Sequence, residues 1–326
     1  MLNYININIL SNIKRYYLTI VCFYCTICAN EGIIMSEKEK LINALSDMGI
    51  DICTIIQESF LGYKYRKRNK ILYDEDSMLP TTLIKLYYGL NPSKIHFDNM
   101  KNRFISQYIN NESKLEDVDY RSIHGKKEME GLKAMYEYIH SEEIEKDGFE
   151  VFSLCLLHKK LYSKADHPEY AGKIRNFPAY LPGTGTETCD SSYIFDALLG
   201  LEDEVKNLLS EAKQINEEGN INKLLNYLDK CVILQCKLVK IHPFGDGNGR
   251  TIRGFINKLL EDAGLPPIYI KVSERTEYHK AMNKANNEDD YTLIKQFYRY
   301  KVCDSIIELD INERLKNQDK TVKRQK

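Results

Sequence analysis

From residue 36 onward, apolar side chains recur three and four positions apart, the spacing that gathers them on one side of an α-helix. A chain patterned this way over most of its length folds as helices packed on helices. Leu224, Leu225, Leu228, Cys231, Val232, Leu238 and Val239 mark one face of a long helix, and Ile233 and Leu234 extend it, so burial on most sides is expected. That helix runs into His242-Pro243. Proline lacks a backbone donor and turns the preceding residue away from helical geometry, so the helix must end there. After a glycine-rich turn, Ile252, Phe255, Ile256, Leu259 and Leu260 define a second helix, closed by Gly264 and Pro266-Pro267. One stretch, GKIRNFPAYLPGTGTETCDSSY (172–193), is dominated by proline, glycine and threonine, and its turn chemistry predicts a short hairpin or flap.

The chain has 326 residues, 43% hydrophobic and 29% charged, enough to bury a full core in a soluble globular protein. Its formal net charge of −1 gives no global reason to expect nucleic acid or an anionic membrane as partner. The basic runs YKYRKRNK (63–70) and RLKNQDKTVKRQK (314–326) read as a solvated face and a frayed end. Cys53, Cys155, Cys231, Cys236 and Cys303 fall in apolar stretches and read as buried thiols of a reducing, cytoplasmic setting. Cys22, Cys25 and Cys28 form a CxxCxxC run without a nearby fourth ligand, which argues against a zinc site.

The domain reading has four parts. Residues 1–34 carry an uncharged run from Tyr16 to Asn30 behind Lys14 and Arg15, which is too short to span a membrane comfortably. It resembles a signal-peptide core, or else the chain starts at Met35. Glu31-Gly32 requires a purine-rich codon pair just upstream of that methionine, so an over-extended start is expected. Residues 35–100 read as an accessory helical region with a break at LNPSK (90–94), 101–310 as the main helical domain, and 311–326 as a polar, disordered tail.

Chemistry concentrates in IHPFGDGNGRTIRGF (241–255). The backbone from Gly245 to Gly249 leads into a helix N-terminus, whose unpaired N–H groups form a cradle for phosphate. Asp246 can hold magnesium, which takes one or two carboxylates plus substrate phosphates. Arg250 and Arg253 lie one turn apart and offer guanidinium forks to phosphate oxygens. His242 can take a proton from an attacking hydroxyl. The Gly-Lys-Ser/Thr ending of a P-loop, the strand of a dinucleotide fingerprint and an HExxH motif are all missing.

At these residues the chain resembles the Fic family: HPFGDGNGRTIR (242–253) matches the signature HPFx(D/E)GNGRxxR throughout. The segments KEMEGLKAMYEYI (127–139), LHKKLY (157–162), YAGKIR (170–175), AGLPPI (263–268) and YHKAMNKAN (278–286) extend the likeness over about residues 100 to 300. The resemblance implies an all-α fold: a Fic-type helical core with a short β-hairpin flap over the site, beside the N-terminal helical extension. It implies transfer of AMP from ATP, with Mg2+, to a hydroxyl of a protein side chain. It casts His242 as general base, Phe244 as the loop's anchor and Asp246 as metal ligand. Gly247, Asn248 and Gly249 hold phosphates, Arg250 contacts them, and Arg253 meets the γ-phosphate end. Tyr278 and Asn286 are candidates for the adenine pocket. The flap, about 177–188, docks the protein target by strand addition, and family members can also regulate themselves as dimers. Transfer of UMP or phosphocholine, removal of AMP, and a nucleotide-binding module without chemistry are the rival readings.

Many family members also carry a regulatory helix of pattern (S/T)xxxE(G/N), whose glutamate pairs with the second arginine of the signature. The best match is ESKLED (112–117), with Glu116 in the glutamate position; Glu112 replaces Ser/Thr and Asp117 replaces Gly/Asn. The second choice is KKEMEG (126–131), with Glu130.

Overall fold

The computed structural model describes residues 52–68, 78–90, 101–166, 170–181, 186–218 and 220–312. The leader (1–34), the LNPSK break beyond Leu90 and the tail from residue 313 lie outside the described residues. The chain divides into two units, Met1–Ile95 and His96–Lys326. In the first, α1 (Ile52–Arg68) packs on α2 (Leu79–Leu90) through Phe60 and Tyr87, whose rings meet edge to face at 5.7 Å.

The second unit is built of helices α3 (Lys101–Leu115), α4 (Ile123–Ile139), α5 (Glu142–Asp147), α6 (Ser153–Leu161), α7 (Ile194–Leu199), α8 (Glu202–Glu218), α9 (Ile221–Ile241), α10 (Asn248–Asp262), α11 (Arg275–Glu288) and α12 (Thr292–Ile306). Helix α12 continues into a π-helical turn, Ile307–Ile311, whose Ile311 is fully buried. The core therefore reaches one residue into the stretch read as tail. None of the described helices is long and apolar enough to cross a membrane.

Helix α9 is the central element, in contact with α7, α8, α10, α11 and α12. It starts at Asn220, whose side chain accepts from the N–H groups of Asn222 and Lys223 at 3.0 and 3.1 Å. It ends as the proline requires: His242 turns left-handed at φ 52°, its N–H still donating to Leu238 O at 3.0 Å. Its burial extends around most of the helix, as the apolar pattern predicted. Tyr227 ties it to α10 by donating to Leu259 O at 2.7 Å. Buried Gln235 bridges two tyrosines: its Nε2 donates to the Tyr278 hydroxyl at 2.9 Å, and its Oε1 accepts from Tyr298.

Two expectations need correction or narrowing. Cys231, Cys236 and Cys303 are buried, but Cys53 and Cys155 are only partly so. Residues 172–193 form no strand among the described residues; one antiparallel bridge joins Tyr180 to Glu187, and residues 182–185 lie outside the description.

Gln235→Leu keeps the packing volume but leaves two buried hydroxyls without their partner, at about 1–3 kcal/mol each. Urea unfolding should show a loss of stability in that range or above, with Tyr278→Phe in the same background recovering part of it.

Candidate active site

The turn between α9 and α10 holds the candidate chemistry, and four elements position it. Phe244 is fully buried and stacks on His158 of α6, ring centroids 3.9 Å apart. Asn248 closes the turn on itself: its Oδ1 accepts from Phe244 N–H at 2.9 Å and its Nδ2 donates to Phe244 O at 2.7 Å. The side chain expected at phosphate is thus engaged in shaping the loop. His158 accepts from Gly172 N–H at Nδ1 (2.8 Å), so Nε2 carries the proton and donates to Asp246 O at 3.0 Å. Burial pushes its pKa down to about 4, so it is a neutral strut.

Arg175, on the segment leading to the flap, binds both sides of the site. Its Nε donates to His242 O at 2.7 Å, Nη1 to Phe177 O at 2.6 Å and Nη2 to Cys189 O at 2.6 Å, while its N–H donates to Pro243 O at 2.9 Å. Partial burial and the Arg175 charge hold His242 below the ordinary imidazole range; a backbone interaction with Val239 and the Asp246 and Glu116 carboxylates oppose them. His242 is therefore neutral at pH 7 and able to accept a proton.

Gly247 begins α10 at φ 70°, where a Cβ would come within 2.6 Å of the Tyr162 ring. No side chain caps this N-terminus, so its first N–H groups are available to an anion. The Asp246 side chain is exposed, yet one oxygen accepts from the Tyr162 hydroxyl at 2.7 Å and lies 3.7 Å from Arg250 Nη2. The surrounding walls desolvate it in part and favour protonation, but Tyr162, Arg250 and Gly247 N–H outweigh them and lower its pKa.

Both arginines of the signature are buried and paired. Arg250 Nη1 donates to Glu128 Oε2 at 2.5 Å and Nη2 to the Tyr162 oxygen at 3.0 Å. Arg253 donates from Nη2 to Glu116 Oε1 at 2.5 Å and from Nε to Glu112 Oε2 at 2.6 Å. Glu116 thus pairs with the second arginine of the signature, whereas Glu130 is exposed. Gly249 makes room for the pair: a Cβ there would lie 2.5 Å from Glu116 Oε1 and 2.8 Å from Arg253 Nη1.

The end of α3 explains the Asp117 departure. Asp117 is left-handed at φ 56°, and the Asp117 and Val118 N–H groups donate back to Lys114 O (3.3 Å) and Ser113 O (2.9 Å). This helix-ending motif favours glycine or asparagine. Here an ion pair compensates: Arg275 of α11 donates to both Asp117 oxygens at 2.9 and 3.0 Å, to Lys114 O at 2.7 Å and to Leu115 O.

Arg275 also lines an open cleft of about 740 Å³ with Thr276, His279, Lys280, Asn283 and Asn287. Tyr278 and Asn286 are buried, 4% and 6% exposed, and do not line it. The α11 positions facing the cleft are their neighbours His279 and Asn287, one residue and so about 100° further around the helix. Tyr278 instead lies near Arg253; burial pushes its pKa up to about 12 against the pull of that guanidinium.

Residues 149–260 match the model of the Fic/DOC family. That stretch is a Fic/DOC domain. It runs from the end of α5 through the signature loop into α10, and includes His158, Tyr162 and Arg175. Over 182 residues the chain is 29% identical to a protein adenylyltransferase, fic-1, of Caenorhabditis briggsae, covering 55% of this chain and 32% of that one. Over 188 residues it is 30% identical to protein adenylyltransferase Fic of Nematostella vectensis, covering 56% and 39%. The chain thus spans 32% to 39% of the length of these relatives. The Fic-1 fragment of Caenorhabditis elegans superposes with a TM-score of 0.53 at 21% identity, over 72% of this chain and 71% of that one. A Fic-domain signalling protein of Bacteroides thetaiotaomicron superposes with a TM-score of 0.57 at 17% identity, over 72% and 98%. These two likenesses show the helical Fic fold.

An NMR titration should find His158 titrating at about 4 and His242 below 6.5. The unfolded chain takes up those protons near 6.5 and the native chain resists them. The two imidazoles therefore favour the folded state fully above pH 6.5, and that contribution falls as pH drops towards 4. A His158→Asn variant should lose less stability than the parent across that window.

Proposed function

We propose that the chain is a magnesium-dependent protein adenylyltransferase that moves AMP from ATP to a Ser, Thr or Tyr hydroxyl, and that Glu116 holds it at low activity. The observation that carries this reading is one loop combining an imidazole held neutral, an exposed carboxylate and two buried guanidinium groups. Each guanidinium is bound to a carboxylate, an anion that a phosphate could replace. The names of the relatives support the reaction class.

His242 takes the proton from the target hydroxyl. The hydroxyl oxygen then forms a bond to the α-phosphorus, the bond from that phosphorus to the bridging oxygen breaks, and pyrophosphate leaves. The N–H groups at the start of α10 and the Arg250 guanidinium face the developing negative charge. The donor set at Asp246 fits magnesium, which would be held by this carboxylate and by the substrate's own phosphates: among the described residues no cluster of three His, Cys, Asp or Glu forms an all-protein site. Bound there, the ion would neutralise phosphate charge.

The cleft beside α11 has the size for a nucleotide base and ribose, and Arg275, His279 and Lys280 on its walls suit an anionic ligand. The protein target would dock along the flap at 177–188, whose base Arg175 holds against the loop. In the resting state Glu116 occupies Arg253 Nη2 and keeps the γ-phosphate from it.

Intact mass spectrometry of the purified chain with ATP and Mg2+ tests this. Glu116→Gly should gain one AMP per chain at least an order of magnitude faster than the parent. Adding His242→Ala should slow that gain by about 100- to 10,000-fold. Adducts with UTP in place of ATP would change the nucleotide assigned; equal rates with and without His242 would remove the proposed chemistry.

A further inference from the structure

Arg253 carries two carboxylates, and they are not equivalent. Glu112 lies in the last turn of α3 and Glu116 is the first residue past its end, its N–H donating to Glu112 O at 3.3 Å, so both reach the same guanidinium. The Glu116 side chain is 34% exposed, and that of Glu112 is 0% exposed. Two anions on one cation leave an excess negative charge beside the loop. Burial pushes the Glu112 pKa up against the pull of Arg253, whereas Arg253 and Arg250 outweigh burial at Glu116 and bring its pKa down. When an anionic ligand approaches Arg253, one carboxylate must give way. Glu116, at the helix end and beside solvent, has water to move into. Glu112 has none, and its departure would leave a buried charge without its partner.

The two contacts also use different parts of the guanidinium. Glu112 binds Nε, the nitrogen nearest the aliphatic stem; Glu116 binds Nη2, at the far edge. The other far nitrogen, Nη1, lies next to Gly249 in the first turn of α10. An arginine held at Nε keeps its two terminal nitrogens aimed in one direction whether or not Glu116 is present.

We propose that Glu112 is a positioning residue rather than a second brake: it holds Arg253 by Nε so that the Nη1/Nη2 edge stays aimed at the place a γ-phosphate takes when Glu116 leaves it. Glu112 is thereby needed in the active state as well as the resting one. This accounts for a glutamate where the family pattern has Ser or Thr. The inference rests on the adenylyltransferase reading for the identity of the ligand.

The test uses the full chain in the Glu116→Gly background, comparing Glu112→Ala, Glu112→Gln and Glu112→Asp. Auto-modification gives KM for ATP and kcat, calorimetry with ATP and Mg2+ gives affinity without turnover, and thermal melts report folding. Glu112→Ala should raise KM for ATP tenfold or more with a smaller change in kcat. Glu112→Gln, which retains an oxygen acceptor for Nε–H, should stay within about threefold of its parent. Glu112→Asp keeps the charge but withdraws the acceptor, and should raise KM even if the alanine variant fails to fold. With Glu116 intact, Glu112→Gln should give no activation. A rise in activity on removing Glu112 would overturn the proposal in favour of two brakes. An unchanged KM with only a lowered melting temperature would overturn it in favour of a structural prop. If Glu116→Gly transfers no AMP at all, the reaction assignment fails, while the ATP affinities still rank the Glu112 variants and decide the positioning role.

Discussion

The site depends on how α9 is made to stop. Pro243 removes a donor, His242 turns left-handed, and the chain must reverse into α10 within a few residues. A reversal this tight, next to a buried core, leaves carbonyl groups with no helical partner. Arg175 supplies one, binding His242 O directly and Pro243 O through its own N–H, and it reaches Phe177 O and Cys189 O as well. The same guanidinium that completes the turn depresses the His242 pKa. Arg175 thus fixes the backbone of His242, adds to the burial that holds the imidazole neutral, and ties Phe177 and Cys189 to the turn.

Around that turn both buried arginines of the signature are paired with carboxylates. Arg250 faces Glu128 and Tyr162; Arg253 faces Glu112 and Glu116. Buried guanidinium groups without anions would be costly, so a chain that must bind phosphate needs substitute anions before phosphate arrives. Under the proposed function, carboxylates at the same nitrogens would meet that need and make ligand binding an exchange rather than an addition. The exchange is easiest where the substitute has access to water, which singles out Glu116.

The turn itself was legible because its chemistry lies in one contiguous stretch: base, carboxylate, glycines and both arginines fall between residues 242 and 253. The helices were legible from their apolar period, and the end of α9 from its proline. The partners from elsewhere were not. Glu128, His158, Tyr162 and Arg175 reach the loop only through packing of α4, α6 and the segment after it, and each reads in isolation as an ordinary surface or core residue. Glu112 was visible as a departure from a pattern, but its meaning required seeing which nitrogen it binds. On α11, 100° per residue turns Tyr278 and Asn286 inward and His279 and Asn287 towards the cleft, a difference of face that apolar spacing alone does not fix.

The Asp117 departure follows the same logic of compensation. A left-handed residue at a helix end favours glycine or asparagine, and an aspartate there adds a negative charge next to carbonyl oxygens at the negative end of the helix dipole. Arg275 answers both problems at once, pairing with the carboxylate and donating hydrogen bonds to the last carbonyls of α3. Because Arg275 is also a wall of the cleft, one side chain touches both the end of α3, next to Glu116, and the cleft. Contacts that shape the loop are neutral or fully buried, as at His158, Asn248 and Glu112. The contacts of Glu116 and Asp246, which the proposed function would have exchanged on binding, are charged and lie near water. This difference in burial separates the frame of the site from its exchangeable parts.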